Sequence, residues 1–300
     1  MIAQFNDDIL ELLSQASTSY ANYLPNLEEE IANKVEEQMS ELEKNKGALV
    51  PSKENFRKLA VIQSGFNTII NDTDYGKHSA LYLSAYEKVT KLSNQYFNAV
   101  TDNFSPTEAM EAVKTAAIDT TIENLGKVGL LTNTNSTFRR PVVNALTQAM
   151  ATGTKYTTAV KQVRDIITGG LNVGPLERYA KPLAVDSLNR FSRNYMNIAA
   201  LGLGLDWYMY TGSLIKTSRC FCIGCVKIKY IHRSEFQQVL DMDFPELKDC
   251  EINPKTGLAE GLIQGTNPSN FTENAGGWGC EHQLIPVPEN YVPESAKTRV

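Results

Sequence analysis

The stretch DWYMYTGSLIKTSR, Asp206–Arg219, decides the fold class. It alternates aromatic and β-branched residues, which is strand chemistry. Thr211-Gly212-Ser213 lies in its middle and predicts the turn of a β-hairpin. Before Leu205 the pattern is different. Apolar residues there recur at spacings of three and four, the helical period. A long helical run followed by a few short strands predicts an α+β protein. It has a mainly α-helical N-terminal region and then an α-rich domain with a small antiparallel sheet.

Upstream, Leu24, Leu27, Ile31, Val35, Met39 and Leu42 form one apolar stripe, with acid runs on the other faces. Such a stripe either packs on its own domain or docks on a partner chain. It spans under three heptads, too few to define a coiled coil. Leu24, Leu27, Ile31, Val35 and Met39 are the candidate partner-binding residues. GALVPSKE (47–54) breaks this helix, and Ser52 with Glu54 marks the start of another. NDTDYG (71–76) is a polar turn before a third helix, about Ser79–Val100. SPTE (105–108) is a start signal with Ser105 as cap. TNTNSTF (132–138) reads as a loop. Helices are expected at about Arg140–Ala151, within 152–170 ahead of Gly169-Gly170, and across 183–204. The predicted division is a helical partner-binding region, 1–135, and a second domain, 136–300.

Downstream, KIKYIHR (227–233) reads as a short strand and SEFQQVLDMD (234–243) as a short helix capped by Ser234. Residues 249–277 are rich in Gly, Asn, Pro and Thr, a long loop that something must hold.

The 300 residues are 42% hydrophobic, enough to build one large core or two smaller ones. No apolar run approaches the roughly 18 residues of a membrane span. The opening MIAQFNDDILELL carries acids where a signal peptide is basic, so none is expected. Net charge is -5, which argues against nonspecific DNA binding. Ten acids against three lysines fall in residues 1–47, so the N-terminal segment carries more than the whole deficit.

The five cysteines are Cys220, Cys222, Cys225, Cys250 and Cys280. An odd, clustered set favours a reduced compartment, with metal or free thiols rather than a disulfide framework. Cys222-Ile-Gly-Cys225 has the spacing of half a zinc knuckle, with Gly224 permitting the turn. GGWGCEHQLIPVP (276–288) offers Cys280 and His282, which an extended segment places on one side. The candidate metal ligands are therefore Cys222, Cys225, Cys280 and His282, around a structural zinc. Packing thiols without metal, and a disulfide or redox pair, are the competing readings; Cys250 and His232 are spare ligands. Trp278 is placed to cover the site. No G-x-S-x-G, P-loop, G-x-G-x-x-G or H-E-x-x-H is present, and no catalytic residues are assigned. Arg139, Arg140, Arg190, Arg193 and Arg219 make either internal ion pairs or an anchor for an acidic partner.

The C-terminal half resembles the phage minor head, or head morphogenesis, proteins of the Mu F-like family. The resemblance rests on RFSRNYMNIAA (190–200), the Trp-containing DWYMYTGSLIKTSR, Ser218-Arg219-Cys220-Phe221-Cys222, and Gly276-Gly277-Trp278-Gly279-Cys280-Glu281-His282 leading to Ile285-Pro286-Val287. It covers about residues 140–290. Glu281 stands where the family often has Arg, and Cys220 where Pro is usual. The resemblance implies a structural virion component, not an enzyme. Such a protein acts in capsid assembly at or near the portal and is put together in the host cytoplasm. The implied partners are portal or major capsid protein and other virion proteins, close to packaged DNA but without sequence-specific binding, and with no membrane contact. Two other functions stay open: a thiol- or metal-dependent effector enzyme packaged in the particle, and a zinc-stabilised interaction module.

Overall fold

The apolar stripe of the first helix is consumed inside the protein. In the computed structural model, which describes residues 2–101, 104–127 and 138–300, α1 runs Ile2–Ser40. Leu24, Leu27, Ile31, Val35 and Met39 are each 0% exposed. Each such burial contributes about 1.5–3 kcal/mol. The expectation that these five residues bind a partner is corrected: they belong to the chain's own core.

A short hairpin follows, β1 (Lys44–Asn45) against β2 (Ala48–Leu49). Then come α2 (Lys53–Asn71), α3 (Tyr75–Val100), α4 (Glu108–Lys127), α5 (Arg139–Thr152), α6 (Tyr156–Thr168) and α7 (Pro175–Leu203). Ser52 caps α2 as its sequence suggests, accepting the Asn55 N–H at 3.0 Å. The cap of α4 shifts from Ser105 to Thr107, whose hydroxyl accepts from Met110 N. The loop expected at 132–138 lies, apart from Phe138, outside the described residues. α7 begins eight residues before the expected start at 183 and runs through Pro182. Its early start has a cause distant in sequence. The buried Glu28 of α1 accepts the Leu176 N–H at 2.6 Å and so caps the helix, behind Pro175 in the first turn.

The last third is the α+β part: β3 (Trp207–Thr211), α8 (Cys220–Ile228), β4 (Tyr230–His232), α9 (Phe236–Leu240), α10 (Phe271–Asn274), β5 (Gln283–Val287) and α11 (Glu294–Lys297). The strands form an antiparallel sheet of order β4-β3-β5. Trp207 pairs with His232 on one side and Val287 on the other, and Thr211 pairs with Gln283. The hairpin predicted around Thr211-Gly212-Ser213 does not form. Leu214 and Ile215 are exposed, so the chain beyond Gly212 has no buried face to return as a strand, and β3 takes its partners from farther along. Pro286 sits on the edge strand, where a missing N–H is tolerated. Phe221, Phe236, Phe271, Leu247, Tyr208 and Leu284 fill the core beside this sheet. The short helix after β4 starts with His232 rather than Ser234 as cap: its backbone N–H donates to Glu235 and its ring accepts from Ser234 N.

The chain divides into two compact units. One is Ser17–Tyr82 with Asp119–Ala184; the other is Met1–Ala16, Leu83–Ile118 and Val185–Val300. The expected boundary at 135/136 falls on residues outside the described ones, and neither unit keeps to one side of it. The cause is the length of α1, α3, α4 and α7, each of which contributes residues to both units. Among the described residues, no helix is long and apolar enough to cross a membrane.

Candidate metal centre

Three chain segments meet beneath β3. Cys222 comes from the first turn of α8, Cys280 and His282 from the approach to β5, and Tyr210 from β3 itself. Glu281 is exposed while Cys280 and His282 are buried, as alternation along an extended segment requires. All four inward groups are buried: Tyr210 is 1% exposed, Cys222 2%, Cys280 4% and His282 7%.

The ligand atoms of Cys222, Cys280 and His282 lie within 4.8 Å of one another. The two sulfurs are 3.9 Å apart, and Cys280 Sγ is 3.6 Å from His282 Nδ1. A tetrahedral ion with metal–sulfur bonds of about 2.3 Å and metal–nitrogen bonds of about 2.0–2.1 Å needs sulfurs about 3.8 Å apart and sulfur–nitrogen edges of about 3.5 Å. The cluster could hold a metal ion. Gly276 keeps the space open. A Cβ there would stand 2.4 Å from Cys222 Sγ and 2.6 Å from Cys280 Sγ, so any side chain would intrude between the thiols. The buried Nε2 of His282 has no hydrogen-bond partner among the described residues.

The two thiols are electrostatically unlike. Cys280 is held well below the ordinary thiol range, chiefly by its hydrogen bond with Cys222; burial opposes this, and His282 and the Arg193 charge add to it. Cys222 is pushed up, first by that same hydrogen bond and then by burial. Both shifts share one leading cause, the contact between the two sulfurs at 3.9 Å. Burial also raises the Tyr210 phenol, and the nearby Cys280 charge reinforces it.

Around the cluster, arginines act as internal clamps. Arg193, 1% exposed, donates to the carbonyls of Glu273, Cys280 and His282 at 3.0, 3.2 and 3.0 Å. Arg190 pairs with Glu273 and lies 5.6 Å over the Trp278 ring. Arg219 donates to the carbonyls of Gly276 and Trp278 at 2.5 and 2.6 Å. Asp186 accepts the Gly279 N–H at 3.0 Å; burial pushes its carboxyl up, while that bond and Arg193 pull it down. Arg190, Arg193 and Arg219 thus serve the loop at 276–282 rather than an acidic partner. The irregular segment 249–277 is held by the Cys220–Cys250 bridge, by the Arg219 bond to Gly276, and by Ala259, Leu262, Phe271 and Ala275, which are buried in the core.

Several expected ligands lie elsewhere. Cys225 is outside the cluster: α8 is a helix, not a knuckle turn, and it directs this residue into the apolar core. Gly224 is there for close packing, since a Cβ would meet Leu247 Cδ2 at 2.4 Å. Cys220 and Cys250 form a disulfide with Cα atoms 5.4 Å apart, where the sequence favours metal or free thiols over a disulfide framework; the three remaining cysteines are free. Cys250, held in that bridge, and His232, whose ring nitrogen contacts Ser234, are outside the cluster found among the described residues. Trp278 is 58% exposed and carries Arg190 over its ring, so it is not the buried cover that the sequence suggests. Sequence reasoning missed Tyr210, Gly276 as a spacer, and Asp186. The strand alternation of 207–211 signals which tyrosines share a face, but no spacing rule links Tyr210 to residues twelve and seventy positions away.

Comparison with protein-family models, with curated proteins and with solved structures finds no match for this chain.

Proposed function

We propose that the protein is a structural virion component of the minor-head type, acting in capsid assembly at or near the portal, with a structural zinc at Cys222, Cys280 and His282. One observation supports this reading. The separate stretches that carry the resemblance, Arg190–Ala200, Ser218–Cys222 and Gly276–His282, pack around one buried locus, as a shared structural element would. Soft thiolates with an imidazole suit zinc among the available divalent ions. The zinc would be structural because its surroundings are buried and the carbonyl-bound arginines fix the loop on which two of its ligands sit.

Co-expression with the portal and major capsid proteins tests the assembly role. Co-purification with either one, or recovery in assembled heads, is expected. A protein that stays monomeric beside both, while still binding zinc, would leave the interaction-module reading instead. A second reading rests on Cys280 Sγ lying 3.6 Å from His282 Nδ1, the pairing a thiol enzyme uses. Under it, native Cys280 reacts with iodoacetamide and activity is lost. For a structural centre, the thiol stays unmodified until the metal is removed.

A further inference from the structure

We infer that Tyr210 supplies the fourth ligand of the centre, closing it as a Cys-Cys-His-Tyr site. This rests on the metal reading above and adds a residue that the spacing of cysteines and histidines does not reveal.

The geometry carries it. Tyr210 Oη lies 3.6 Å from Cys222 Sγ and 3.9 Å from Cys280 Sγ. A tetrahedral ion bound to sulfur at about 2.3 Å and to oxygen at about 2.0 Å has sulfur–oxygen edges of about 3.5 Å. The phenol therefore stands off both thiols by nearly the same edge length that separates Cys280 Sγ from His282 Nδ1. Its direction is fixed by the middle strand of the sheet, where Tyr210 is paired with Leu284, two residues past His282. The missing side chain at Gly276 leaves room on the same spot: a Cβ there would lie 3.0 Å from Tyr210 Oη, as well as close to both sulfurs.

The hydroxyl's other options are poor. It is buried, and the hydrogen-bond partners found for it are the two sulfurs, which are weak acceptors. Charge fits as well. Binding a divalent cation through two thiolates, a phenolate and a neutral imidazole releases the protons of Cys222, Cys280 and Tyr210 still bound beforehand and leaves a net charge of one negative. The buried guanidinium of Arg193 lies alongside. It donates to the carbonyls of Cys280 and His282, and its second terminal nitrogen has no partner among the described residues. That cation would balance the closed centre.

The test is zinc titration of the reduced, metal-stripped full-length chain, followed by near-ultraviolet difference absorption. Wild type should develop a tyrosinate band that saturates at one zinc per chain. Tyr210→Phe should bind at least tenfold more weakly and lack the band, and Tyr210→His, which restores a ligand, should recover affinity without it. The wild-type spectrum stands even if a variant fails to fold. Zinc bound at one per chain with no tyrosinate band, and unchanged affinity in Tyr210→Phe, would overturn the assignment and leave the three-residue site intact. No zinc bound by wild type would overturn both.

Discussion

The unit built from Ser17–Tyr82 and Asp119–Ala184 and the Cys/His corner of the other unit hold together by different means. The first relies on local periodicity. Leu27, Ile31 and Val35 on α1, and Ala159, Val163 and Ile167 on α6, recur every four residues and are fully or almost fully buried. Each turn of helix adds its own contribution to the core. The second relies on convergence of residues far apart in sequence. Cys222 and Cys280 are 58 positions apart, and Arg193 reaches carbonyls more than 80 positions away. A helical core should lose stability in increments as side chains shrink. A converged centre should fail as a whole when one ligand goes.

The largest effect is therefore expected at the centre. Cys280→Ser or Gly276→Ala should abolish stoichiometric metal binding and raise amide exchange across 249–282. The loss should approach the order of 10 kcal/mol that a structural zinc contributes. If both variants keep wild-type melting and exchange, the corner does not depend on convergence and the contrast breaks. Next, Ile31→Ala should cost about 2–5 kcal/mol by leaving a cavity, while metal stoichiometry in the folded fraction stays unchanged. Denaturant unfolding with metal analysis checks both halves of that statement.

Removing the Cys220–Cys250 bridge, by the double change to Ser, should cost about 3.6 kcal/mol, from the freed loop of the unfolded chain. Zinc binding should survive, because neither sulfur belongs to the cluster. This separates the two uses of cysteine within one short segment.

The smallest effect is a pH dependence in the helical unit. Burial pushes the Glu28 carboxyl from 4.5 to about 7, against the opposing pull of the Leu176 N–H. The folded state then holds a proton that the unfolded chain has lost. Its stabilisation is complete below pH 4.5 and disappears as pH rises through 7. The full swing is about 3 kcal/mol at most. Glu28→Gln should flatten the stability profile between those limits, as measured by urea midpoints across pH. A profile that keeps its slope in this variant would assign the proton elsewhere.

These two regions also differ in how far the sequence discloses them. The α1 stripe, the Ser52 cap and the helices at 139–152 and 156–168 follow from spacing and caps, because local backbone chemistry determines them. The start of α7 was hidden because its cap is Glu28, 148 positions away. At the centre, Cys222, Cys280 and His282 were legible as soft ligands in suggestive spacings. Cys225 was misassigned because C-x-x-C predicts a turn, whereas these residues continue as a helix and bury the second thiol in the core. The Cys220–Cys250 bridge and Tyr210 depend on tertiary placement that spacing does not encode. The partner role assigned to the α1 stripe failed because periodicity gives the apolar face but not what covers it.

The most direct measurement is the metal content of the full-length protein, purified under reducing conditions, beside Cys222→Ser, Cys225→Ser and Cys280→Ser. Expected is one zinc per chain in wild type and in Cys225→Ser, with none in the other two. Metal-free wild type that also fails to take up added zinc, or loss of zinc only in Cys225→Ser, would contradict a centre built from Cys222, Cys280 and His282.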